Sequence, residues 1–145
     1  VMQRTCCLIC FMFALGCTTT SHSWPNTDRG LVWTAMVAAA GAPDYKSEDP
    51  RKRWIVVENT VDENSDVGRI QVHRVLARSL KLPRQAVQHD RRVWFLDIYL
   101  LPIDPDDPSN TPTATFDAKS TSWIPVRSTD EADLYFSLVD ALLDQ

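Results

Sequence analysis

The chain has 145 residues, 44% of them hydrophobic and 23% charged, with a net charge of −4. That length supports one domain with a real core and is too short for two comfortable ones. Its four glycines stand apart, which excludes the closely spaced glycine loops that cradle nucleotide phosphates, and the acidic balance argues against nucleic acid as a partner.

All four cysteines, Cys6, Cys7, Cys10 and Cys17, fall within the first seventeen residues. Arg4 precedes an apolar run from Cys6 to Leu15, which has the layout of an export signal. As a helix, Cys6 to Gly16 would reach only about 16 Å at ~1.5 Å per residue, against roughly 30 Å of hydrocarbon, so the run is too short for a permanent span. Ala14-Leu15-Gly16-Cys17 resembles the lipobox of bacterial lipoproteins. The resemblance implies cleavage between Gly16 and Cys17 and acylation of the Cys17 thiol. Each buried acyl carbon contributes about 0.8 kcal/mol, and two or three chains hold a protein stably where one does not. It further implies a division into a signal peptide (1–16), a lipidated cysteine with a polar tether (17–26) and a single domain (27–145). Thr18, where an Asp would favour inner-membrane retention, points to the outer membrane facing the periplasm. Ordinary cleavage at the same place would instead release a secreted protein. Beyond Cys17 no cysteine remains, so disulfides, cysteine-ligated metals and thiol catalysis are excluded from the domain.

In chain order, Asp28 is positioned to cap a helix from Arg29 to Ala40, ended by Gly41-Ala42-Pro43. Trp54 to Val61 is rich in β-branched residues and predicts a strand. Asp62 to Asp66 turns the chain. Val72, Val75, Leu76, Ser79 and Leu80 then follow helical spacing, predicting a second helix over 67–80 with Arg74, Arg78 and Lys81 together on another side. Val93 to Leu101 is apolar at nearly every position and predicts a central strand covered on both faces. Pro102, Pro105, Pro108 and Pro112 mark an acidic loop, followed by short strands at 113–116 and 122–126, with Pro125 suited to a sheet edge. Ser128-Thr129-Asp130-Glu131 is a capping box opening a last helix, with Leu134, Tyr135, Leu138, Val139, Leu142 and Leu143 facing inward. The order α-β-α-β-β-β-α describes an α+β fold, a small antiparallel sheet of about four strands packed against two to three helices.

Charge is unevenly distributed: residues 28–66 carry a net −3, 69–92 a net +6 and 93–145 a net −8. A basic middle segment facing an acidic neighbour within the fold explains this pattern. The alternative is a basic interface through Arg74, Arg78 and Lys81 that meets anionic lipid.

Asp62, Asn64 and Asp66 imitate the start of a calcium loop, but Gly68 arrives one residue late and His73 stands where a bidentate Glu is required. They are weak metal candidates, and a solvated turn accounts for them. His73 and His89 lack the spacing of a zinc site, and no Gly-x-Ser-x-Gly turn presents a nucleophile, so no catalytic residue and no cofactor is assigned. Asp97 inside an apolar strand needs a base such as Arg91, Arg92 or Arg78, solvent at a face edge, or a pocket. The five tryptophans are dispersed and read as core anchors, with Trp123 a possible contact residue.

These features together imply a lipid-anchored, non-enzymatic cell-envelope protein. It is held to the membrane through Cys17 and binds another envelope protein or anionic lipid through a sheet edge or the basic segment. A small periplasmic hydrolase or metal-dependent enzyme is the alternative, and a pocket gathering His73, His89 and Asp97 would favour it.

Overall fold

A computed structural model describes residues 19–121 and 127–145. Five antiparallel strands form one sheet in the order β1-β5-β4-β3-β2, where β1 is Thr20–Ser23, β2 Ile55–Asn64, β3 Arg69–Leu80, β4 Gln88–Leu100 and β5 Thr113–Ser120. Two helices, α1 (Arg29–Gly41) and α2 (Ser128–Leu143), pack on each other and on the sheet. The architecture is α+β, with five strands instead of the four expected.

Alternation places one set of side chains under the helices. Ile70, Val72 and Leu76 of β3, Trp94, Leu96, Ile98 and Leu100 of β4, and Ala114 and Phe116 of β5 are buried there. Against them α1 brings Val32, Ala35, Met36, Ala39 and Ala40, spaced i, i+3, i+4, i+7, i+8. Full burial of each large side chain contributes about 1.5–3 kcal/mol. As expected, the Asp28 carboxylate caps α1, accepting from the Leu31 amide at 3.0 Å. Gly41 lies within the last turn, and Ala42 occupies the C-cap.

Two sequence expectations are corrected by the pairing. Residues 69–80 form β3, not a helix: the inward row is Ile70, Val72, Arg74, Leu76, Arg78 and Leu80, paired residue by residue with β2 and β4. Two arginines in that row broke the apolar alternation, while Val75, buried on the opposite face, completed a false helical stripe. The tether expectation fails for Thr20 to Trp24. Thr20–Ser23 pairs with β5, Trp24 is buried, and both Trp24 Nε1 and His22 Nε2 meet Asp140 of α2, at 2.7 and 3.2 Å. His22 also stacks on Phe136 with ring centroids 5.0 Å apart.

The last helix begins as expected but is oriented differently. Arg127 holds the N-cap position without a side-chain cap bond, and Glu131 turns inward instead of closing a capping box. Its buried residues are Glu131, Ala132, Tyr135, Phe136 and Val139, while Leu134 is exposed. The predicted strand at 122–126, with Trp123 and Pro125, lies outside the described residues.

Arg74 organises the interior. Its side chain is 2% exposed and donates to Asn59 Oδ1 (2.8 Å), Tyr45 Oη (2.8 Å), the Ala40 carbonyl (3.0 Å) and Glu131 Oε1 (3.3 Å). Tyr45 in turn donates to Glu131. Burial pushes the Glu131 carboxyl above its ordinary value, opposed by the Tyr45 hydrogen bond and the Arg74 charge. Burial likewise holds the Tyr45 phenol protonated well beyond the usual range.

Removing one partner of such a pair leaves the other buried and unmatched. Arg74→Leu is expected to lower stability by about 3–5 kcal/mol in urea unfolding, and Arg74→Leu combined with Glu131→Leu by clearly less. Because the folded-state value of Glu131 is raised, the native state binds its proton more tightly than the unfolded chain. This group's contribution is therefore fully present below the ordinary 4.5 and is lost as pH rises through the raised value. Glu131→Gln should remove that component from the pH dependence of thermal stability, and an unchanged profile would refute the assignment. Gly68, at φ 66°, closes the β2–β3 turn with its would-be Cβ 2.5 Å from the Leu100 carbonyl oxygen. Gly68→Ala is expected to destabilise by about 2 kcal/mol or more, measured in the same way.

Candidate functional site

Both helices lie on one side of the sheet, and among the described residues no helix or strand packs on the other side. Cross-strand partners share a face in antiparallel pairing, so the register gives the open surface row by row. One row runs Thr60, His73, Phe95, Lys119 from β2 to β5, and the next runs Asp62, Gln71, Asp97, Asp117. These two rows line a shallow depression of about 340 Å³. A third row, Asn64, Arg69, Tyr99, Thr115, closes one side.

Phe95 is 46% exposed, unusual for a phenylalanine in the middle of an interior strand. The His73 ring lies 5.0 Å from it, and His73 Nδ1 is 3.4 Å from Glu58 Oε1. Asp97 receives both ends of the Arg69 guanidinium, at 2.9 and 2.8 Å, and Tyr99 Oη stands 3.5 Å away. That hydrogen bond holds Arg69 more basic than a free arginine. Across the strand Asp97 faces Asp117, a like-charge pair that Arg69 makes tolerable. The surface thus presents an aromatic ring beside an imidazole, an ammonium and carboxylates, all on backbone fixed by hydrogen bonding to neighbouring strands.

The predicted site residues separate. Gly16 and Cys17 lie outside the described residues. Asp62 lines the open depression, whereas Asn64 Oδ1 accepts from the amides of Asp66 and Val67 and so is turned onto its own hairpin. Among the described residues no three His, Cys, Asp or Glu side chains are placed to hold a metal ion. The expected basic helix face does not exist. Arg74 is buried, Arg78 is bound to Asp90 at 2.9 Å and stacks over Trp54 at 4.3 Å, and only Lys81 is exposed. A strand keeps Arg74 and Arg78 on one face, here the inward one, and separates them from Lys81 at an odd spacing, whereas helical spacing would keep all three together. The partner of Asp97 is Arg69 and not Arg91, Arg92 or Arg78. His89 pairs with Ser79 at 2.9 Å in a second depression near the start of β4, away from His73.

Phe95, Tyr99, Asp117 and Lys119 were not singled out by sequence. The signal was present in β4, where Phe95, Asp97 and Tyr99 alternate with Trp94, Leu96 and Ile98. The polar atoms of alternate residues mark one face as uncovered. Compared with known proteins, the chain matches no family model and no curated protein. Among the described residues no helix is long and apolar enough to cross a membrane.

Arg69→Met is expected to leave Asp97 and Asp117 facing each other without a counter-charge. Thermal stability at neutral pH should fall, and added salt should reduce the difference from the unsubstituted chain.

Proposed function

We propose that this chain is a lipid-anchored cell-envelope protein acting as a binding module. Cys17 ties it to a bilayer, and a polypeptide partner is held on the open sheet face. The observation that carries this reading is the open face itself, with exposed Phe95 flanked by His73, Lys119 and Asp117 on three paired strands. A rigid aromatic centre with a mixed-charge rim has the composition of a protein contact surface. The separation of His73 from His89 by depression supports a binding role over a hydrolytic one.

The sheet edge is a poorer candidate. β2, at the edge, carries a bulge at Val57 and the acids Glu58, Asp62 and Glu63, devices that discourage strand addition. The lipid anchor follows from the Ala14-Leu15-Gly16-Cys17 motif.

In cells producing the chain, a photoreactive residue at position 95 is expected to give a discrete adduct. The same residue at Leu31, exposed on the outside of α1, should give none. Equal labelling from both positions, or none from position 95, would refute the binding face. Incorporated fatty acid should be lost in Cys17→Ala, and mass spectrometry showing a bare thiol on the native amino terminus would refute the anchor.

A further inference from the structure

Exposed bases gather at one end of the sheet. Arg51, Lys52 and Arg53 precede β2, Lys81 and Arg84 occupy the β3–β4 turn, and Arg91 stands near the start of β4; all six are exposed. Antiparallel pairing brings these three segments together, because Ile55 lies opposite Ala77, and Ala77 opposite Arg91. The same loop carries three acids: Asp44 and Asp49 accept from the amides of Lys46 and Arg51, and Glu48 is exposed, so the excess of base comes from Lys81, Arg84 and Arg91 together with the loop. The opposite end of the sheet is acidic, with Asp66 in the β2–β3 turn and Asp104, Asp106 and Asp107 in the β4–β5 loop.

Apolar side chains stand among the bases. Ile55 is 68% exposed and Val87 47% exposed, and Ile55 lines a depression of about 420 Å³ with Arg53, Arg91 and His89. Bases around exposed aliphatic groups match a lipid headgroup region, where phosphates meet the first methylenes.

The direction of β1 adds an independent constraint. Thr20 lies opposite Phe116 and Ser23 opposite Thr113, so the chain enters β1 from the side of Ser120. Ser120 pairs with Trp94, on the part of β4 leading back to Gln88 and the basic turn. The described chain thus enters β1 on the side that faces the basic end, and Cys17 precedes Thr20 by three residues in the sequence.

We propose that the basic end is a membrane-docking surface for anionic phospholipid. It holds the body upright, with the acidic loop pointing away from the bilayer and the open sheet face standing roughly along the membrane normal. The orientation rests on the reading of Cys17 as the anchor, while the surface rests on its own charge and exposed aliphatic groups.

The test uses the full chain as isolated from producing cells, its amino terminus first characterised by mass spectrometry, on vesicles of phosphatidylcholine alone or with one third phosphatidylglycerol. Trypsin cleavage after Arg84 is expected to slow on the order of ten-fold on the anionic vesicles and to recover in high salt. Cleavage by an aspartate-specific protease in the Asp104–Asp107 loop should not change. For chain that is not acylated, Lys81→Gln with Arg84→Gln should weaken flotation with anionic vesicles roughly thirty-fold. Absence of Arg84 protection, or equal protection of both loops, overturns the proposal. So does protection by heparin but not by anionic vesicles, which would assign the surface to a soluble polyanion. An acylated chain without protection leaves the anchor standing and removes the docking surface. Protection of a chain with a bare thiol does the reverse.

Discussion

One guanidinium connects the parts of this fold that the sequence keeps far apart. Arg74 reaches the carboxyl end of α1, the β2 edge strand, the loop carrying Tyr45 and the first turn of α2. A buried charge is tolerated only when its donors are satisfied, and here the acceptors come from four separate segments. None of those segments can shift without leaving a donor unmatched. A well-packed apolar replacement could match the stability, so the value of the cluster lies in fixing one arrangement of helices on sheet. Trp54, with Arg78 over it at 4.3 Å and Arg92 at 4.5 Å, extends the same arrangement toward the β3–β4 turn.

With both helices on one side, the sheet has a covered and an open face, and the two have different chemistry. The covered face is aliphatic and aromatic except for the arginine cluster. The open face alternates charge with isolated apolar groups, and its long central strands hold those groups in fixed register. Val75 is buried although it belongs to the open side. Phe95 is left exposed one row away. Charge is sorted along the strands as well as across the sheet, because hairpin connections return the basic segment to one end and the acidic turn and loop to the other.

Local chemistry made several elements legible in the sequence. Asp28 with the stripe from Val32 to Ala40 specified α1, and β-branched or aromatic runs specified β2 and β4 as strands, although β4 is covered on one face and not on the two expected. The failures share one cause, the use of a polar residue by a distant partner. Arg74 and Arg78 occupy inward positions of β3 because Glu131 and Asp90 await them, and neither partner is visible in a local window. Glu131 had the spacing for a capping box, but its inward bond to Tyr45 and Arg74 outweighed the local one. Thr20–Ser23 is too short and too polar to signal a strand, and it becomes one through β5 on one side and Trp24 beneath α2 on the other. At the open face, Asp97 was recognisable as anomalous, whereas its partner Arg69 became evident only once the β3–β4 register was known.

The geometry of β1 governs how the body would respond to pulling. Tension applied through the residues before Thr20 runs parallel to the strand, so the β1–β5 hydrogen bonds are loaded in shear and must yield together. The Trp24 and His22 contacts to Asp140 add a latch behind them. A short strand at a sheet margin would peel open bond by bond under a perpendicular load. Along its own axis it acts as a mechanical clamp, suited to a body tugged from its amino-terminal side.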